Sequence, residues 1–179
     1  MKKMKKNNKG FTLVEIIVVL VILAILAAAM IPAMLGYVEE SRGKTYADQA
    51  RVVYNAVQTC ATEASALGAS NDDIEAAINA YLAGDASSLE DNTAKSVAAK
   101  VRNLIGEDVL ASEPSMQIKM DDDIDGHISQ IWYDSNGTTE DGGYQVEINV
   151  ATGTTNVQKD TAEGDKLIFT FGGGEAEGG

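Results

Sequence analysis

From Ile16 to Leu35 the chain runs for twenty residues without a charged side chain. As a helix, such a run reaches about 30 Å, the thickness of a bilayer's hydrocarbon core. The ten residues before Phe11, MKKMKKNNKG, hold five lysines and no acid. A basic stub followed by an apolar run of this length is either a removable secretory signal or a membrane-spanning helix. The lysines hold the N-terminus at the cytoplasmic surface, so everything after the apolar run faces outward. Ala27, Ala28 and Ala29 offer a signal-type cleavage site, which would release a secreted globular protein. Two features oppose that reading: the run is long for a removable signal, and Glu15 stands near its entrance. A carboxylate in hydrocarbon costs about 2.5–3.5 kcal/mol, so it calls for a partner or a task.

The remainder has the composition of a folded domain. The chain has 179 residues, 45 % of them hydrophobic, and a net charge of −13. Removing the five leader lysines leaves nine basic against 27 acidic residues, a net charge of −18. Residues 36–179 alone carry −17, which makes direct nucleic-acid binding an unfavourable role. One cysteine, Cys60, and one histidine, His127, rule out a disulfide framework, a Cys-rich zinc site and a histidine-based metal cluster.

Beyond the apolar segment, residues 11–35, the pattern turns amphipathic over 36–68. Tyr46, Ala50, Val53, Tyr54, Val57, Ala61, Ala64 and Leu67 recur at three- and four-residue spacing, and charges fill the positions between. Glu40 and Lys44 stand i, i+4, as do Lys44 and Asp48. Gly68 supplies a stop. The two segments together predict one helix of about 57 residues, roughly 85 Å, with Pro32 and Gly43 as its soft points. Cys60 reads as a small inward-packed hydrophobe.

Residues 69–113 form a helical connecting region. Ser70 or Asn71 caps a helix over 72–83, and Val97, Val101, Leu104 and Ile105 predict a second over 92–105. From 114 to 171 the period becomes two. Strands are expected at 116–120, 128–133, 144–150 and 166–171, with a short one near 156–158. Asp125-Gly126, Asn136-Gly137, Gly142-Gly143 and Thr152-Gly153-Thr154 are turn sequences. The expected fold is α+β, an antiparallel β-meander whose apolar face is covered by the amphipathic half of the long helix. Residues 172–179 have no large apolar side chain to dock and read as a flexible tail.

The run Lys9-Gly10-Phe11-Thr12-Leu13-Val14-Glu15, followed by an apolar stretch containing Pro32, resembles the start of type IV pilins and the related pseudopilins. In sequence the resemblance covers residues 5 to about 35, and beyond that it is architectural. It implies a leader, 1–10, cut after Gly10 by a prepilin peptidase, and an N-terminus at Phe11 that is typically methylated. It also implies a retained helix that first anchors the chain in the cytoplasmic membrane and then forms the core of a homopolymeric fibre. Pilus assembly platforms and ATPases are the implied indirect partners. Glu15 and Pro32 become assembly residues, and the Phe11 amine lies one helical turn from Glu15, with a neighbouring subunit's amine as a further partner. Ala24 stands where Gram-negative pilins carry a mid-helix glycine, which speaks against local melting between Ala24 and Pro32 and leaves a bend at Pro32; Cys60 has no disulfide partner, which favours a Gram-positive source. The implied role is a structural subunit of an extracellular pilus serving adhesion, surface motility or DNA uptake. The alternatives are a pseudopilin of a secretion or competence fibre and a tethered, non-polymerising binding domain.

No catalytic constellation accompanies these features, and no cofactor is expected. Asp121, Asp123 and Asp125, ahead of Gly126, match the start of a calcium loop, but the closing bidentate acid falls on Trp132. The segment therefore reads as a solvated acidic hairpin turn, with calcium as the alternative. Trp132, Tyr133 and Tyr144 read as core or cross-strand packing.

Overall fold

The computed structural model describes residues 11–87, 89–111, 113–136, 142–161, 164 and 166–171. The leader with Gly10, the tail 172–179 and the turn at Gly137 lie outside the described residues. The chain divides into two compact units, with the boundary between Glu39 and Glu40. Helix α1 (Leu13–Ala66) contributes to both, and Pro32 lies inside it. Proline has no N–H, so the carbonyl of Ala28 lacks its usual helical donor.

The second unit contains α2 (Asn71–Leu82), α3 (Thr93–Ala98), α4 (Val101–Ile105) and α5 (Glu107–Leu110). Strands β1 (Ser115–Met120), β2 (Ile128–Asp134), β3 (Tyr144–Asn149), β4 (Thr154–Lys159) and β5 (Lys166–Phe171) follow. They form an antiparallel sheet in sequential order, the meander expected from the period-two segments. The short strand expected near 156–158 is a full six-residue strand.

Alternation places one side chain of each strand pair into the core. Met116, Ile118 and Met120 on β1, Ile131 and Tyr133 on β2, Tyr144, Val146 and Ile148 on β3, and Val157 on β4 are all buried. The buried stripe of α1 in this unit is Gly43, Ala47, Ala50, Val53, Ala56, Val57, Cys60, Ala61 and Ala64. Each fully buried Val or Ile contributes about 1.5–3 kcal/mol by leaving water. Tyr46 stacks on Tyr144 with ring centroids 5.0 Å apart. The buried Tyr133 hydroxyl donates to Gln49 Oε1 at 2.8 Å, which meets its polar requirement inside the core.

Three helical expectations need correction. Leu67 is 62 % exposed, because α1 ends at Ala66 and the chain turns away through Gly68. The helix expected over 92–105 is two. The Lys100 amide bonds to the Val97 carbonyl at 3.0 Å, a three-residue turn that re-aims the chain, and α5 follows unforeseen. Val97, Val101 and Ile105 are buried as expected, but Leu104, placed on the same face by its spacing, is 50 % exposed. The first connecting helix begins at Asn71, with Ser70 as its cap accepting from the Asp73 amide.

Helix α2 also closes the β1 edge of the sheet. Asn79 accepts from the Ile118 amide at 2.8 Å and donates to the Ile118 carbonyl at 3.0 Å. Glu75 Oε2 accepts from the Met120 amide at 2.7 Å. An exposed edge is a template for unwanted strand pairing, and these side chains occupy it.

The β1–β2 loop is clamped from two helices. Gln58 donates to the Gly126 carbonyl at 2.7 Å and accepts from the Ile128 amide at 3.1 Å. Asn71 accepts from the Gly126 amide at 2.9 Å and donates to the Asp121 carbonyl at 2.7 Å. Gly126 has φ +71°, and a Cβ there would lie 2.7 Å from Ser65 Cβ. Gly126→Ala therefore combines left-handed backbone strain with a steric clash. It is expected to destabilise this unit by about 2–4 kcal/mol in urea titrations of the detergent-solubilised chain, read by Trp132 fluorescence. A midpoint equal to wild type would refute this account of the clamp.

Candidate functional site: the first turns of α1

Residues 11–35 are exposed along their whole length. Every large apolar side chain among them is exposed, from 48 % at Ile16 to 83 % at Phe11. A helix apolar on all sides is a helix made for lipid or for the interior of an assembly. By length and composition α1 qualifies to cross a membrane.

Phe11 and Thr12 precede α1, and the helix starts at Leu13. The first turn is closed by a reciprocal pair. The Glu15 amide donates to Thr12 Oγ1 at 3.3 Å, while Glu15 Oε2 accepts from the Thr12 amide at 2.9 Å. The Thr12 hydroxyl adds a third bond, donating to the same carboxylate oxygen at 2.8 Å. This is a capping box, with Thr12 as the cap and Glu15 in the third helical position. The carboxylate also sits where the helix presents its positive end.

Thr12 is thus a functional position that the reading of charge and hydropathy overlooked. Its sequence signal is present, since Thr followed three residues later by Glu at the head of an apolar run is the capping-box pattern. Of the expected assembly residues, Glu15 lies in the first turn of α1 and Pro32 further along the same helix, whereas Phe11 precedes the helix and so does not stand one helical turn from Glu15 as expected. Gly10 is outside the described residues.

The acidic loop is arranged differently from a calcium site. Asp121 Oδ1 accepts from the amides of Asp123 at 2.9 Å and Ile124 at 3.2 Å, turning the chain. Among the described residues no three His, Cys, Asp or Glu side chains converge on a point where an ion could sit. Asp121, Asp123 and Asp125 are therefore not brought together, and His127 is exposed. Tyr133 and Tyr144 are core residues as expected, but Trp132 is 40 % exposed and faces the other way.

Residues 5–31 match the family model of the prokaryotic N-terminal methylation motif. No curated protein and no solved structure matches the chain.

Loss of the capping box should loosen the first turn. Thr12→Ala removes a cap worth about 1 kcal/mol. In detergent micelles, amide hydrogen exchange at residues 13–16 should speed up about fivefold, and Thr12→Ser should restore it. Equal exchange in wild type and Thr12→Ala would show that the box contributes nothing.

Proposed function

We propose that this chain is the structural subunit of an extracellular type IV pilus, cut after Gly10 and polymerised through the apolar half of α1. The methylation motif at residues 5–31 and the long helix followed by an antiparallel meander already mark a pilin- or pseudopilin-like protein with a membrane-anchored precursor. The observation that carries the finer reading is an apolar helix exposed on every side with one carboxylate, Glu15, held at its entrance by Thr12.

Among the described residues Glu15 is satisfied by the Thr12 amide and hydroxyl, both neutral donors. Cutting after Gly10 removes the five lysines that tie the chain to the cytoplasmic face. It also creates a positive amine at Phe11, four residues before a negative side chain. Inside an apolar bundle, ion pairing between that amine and Glu15, within one subunit or between neighbours, fixes the axial register of each incoming copy. A register shift would leave a charge unpaired in an apolar surround. Pro32 weakens one hydrogen bond of the same helix and gives it a place to bend during packing. The prepilin peptidase is the direct processing partner in this reading, and the assembly platform with its ATPases supplies the force. Adhesion and surface motility suit an acidic fibre better than direct DNA binding.

Two measurements test the proposal. N-terminal sequencing and mass spectrometry of the mature protein should find a methylated Phe11, whereas a start near residue 30 would identify a secreted protein instead. Glu15→Ala should abolish filaments while leaving membrane insertion intact. Filaments of wild-type abundance from that variant would overturn the assembly role. Long surface filaments in the wild type distinguish a pilus from the short fibre of a pseudopilin.

A further inference from the structure

The outer face of the sheet carries a second feature unrelated to the helix. The register aligns Gln117, Trp132, Glu147 and Asn156 in one row across β1 to β4. Because side chains alternate, this row faces away from the core that holds Tyr133 and Val146. The row lies in an open depression of about 400 Å³, which Gln145 and Gln158 also line. Trp132 is the single tryptophan of the chain and is 40 % exposed. An indole left half in water, on a surface otherwise polar, is an apolar platform without an internal partner.

The surrounding groups are fixed. Glu147 Oε1 accepts from Gln130 Nε2 at 3.0 Å, and Glu147 Oε2 accepts from Asn156 Nδ2 at 3.5 Å. Both oxygens of the carboxylate are thus oriented before any ligand arrives, and its charge is partly offset by two amide dipoles.

From this arrangement we infer that the outer face of the sheet is a binding site for a neutral oligosaccharide. Carboxamides carry both donors and acceptors on one plane, and a sugar hydroxyl is likewise both donor and acceptor. Four of them, Gln117, Gln145, Asn156 and Gln158, surround an indole on which the apolar C–H face of a pyranose ring can stack. The charge pattern separates this ligand from others. Among the described residues no lysine or arginine lines the depression, and two carboxylates do, Asp134 and Glu147. Phosphate, sulfated or acidic sugars are therefore repelled. A basic peptide would be matched by carboxylates rather than carboxamides, which outnumber them here two to one. Four strands at about 4.8 Å spacing give a footprint of roughly 14 Å, the span of a short oligosaccharide rather than a single ring. The inference rests on the sheet alone and stands whether or not the chain polymerises.

Trp132 makes the test direct, because all intrinsic indole fluorescence comes from the site. The full chain, solubilised in a polyoxyethylene detergent that carries no sugar, is titrated with neutral tetrasaccharides of glucose, mannose, galactose and N-acetylglucosamine. At least one should give a saturable fluorescence change and a matching calorimetric isotherm. Its affinity should be unaffected by added salt, as an uncharged ligand requires. Trp132→Ala should abolish the isotherm, and Glu147→Gln should weaken it about tenfold, both with unchanged circular dichroism. Trp132→Phe should retain part of the affinity. Absence of saturable binding to all four sugars would overturn the inference. So would binding that survives Trp132→Ala, or a salt-sensitive response to oligolysine in place of the sugars.

Discussion

Hydrocarbon offers no hydrogen bonds, so a helix that enters it must bring a partner for every polar group it carries. The described chain meets this demand at the first turn of α1. Thr12 and Glu15 satisfy one another there, so the carboxylate and two of the amides at the helix start have partners. An apolar helix whose entrance is closed in this way can wait in a bilayer. Under the proposed function, the same carboxylate is in place for the amine that cleavage after Gly10 would free at Phe11, and Thr12 supplies its neutral partners before that.

The second unit solves a different problem, that of closing a small sheet in water. One face of the meander is sealed by the small-residue stripe of α1, and the β1 edge is occupied by Asn79 and Glu75 of α2. The β1–β2 loop is drawn down by Gln58 and Asn71. These four side chains act on backbone groups, so they hold the sheet without adding to its apolar area. Each buried backbone amide would otherwise cost free energy for want of a partner. The acidic run at 121–125 is part of this clamp: the Asp121 carbonyl accepts from Asn71, and the Asp121 carboxylate turns the loop by accepting from the Asp123 amide.

Adjacent aromatics on β2 show how far a sequence can be read. Tyr133 and Trp132 are neighbours, so on a strand they must face opposite ways. Which one enters the core is decided by where α1 lies. Gln49 waits for the Tyr133 hydroxyl, and the Trp132 side chain is left on the outer face. Leu67 is a similar case, since it continues the helical period but falls after the last turn of α1. The division of the 92–105 pattern into α3 and α4 was equally hidden, because periodicity records which residues are buried and not whether the axis between them is straight.

The sequence by itself determined what local rules govern. Twenty uncharged residues after five lysines dictate a lipid-compatible helix. Three-and-four spacing dictates an amphipathic extension, and period-two runs with glycine turns dictate a meander. Even the capping of Glu15 by Thr12 was present as a four-residue pattern. Only the tertiary structure decided what depends on distant partners. It set which face of the sheet meets α1, which side chains close the β1 edge, and how the loop after β1 is tied to Gln58 and Asn71. It also decided that Trp132 is left on a polar surface beside Glu147. The reason is that hydrogen bonds such as those of Asn79 with Ile118 and Gln58 with Gly126 join residues far apart in the chain, and no local periodicity encodes them.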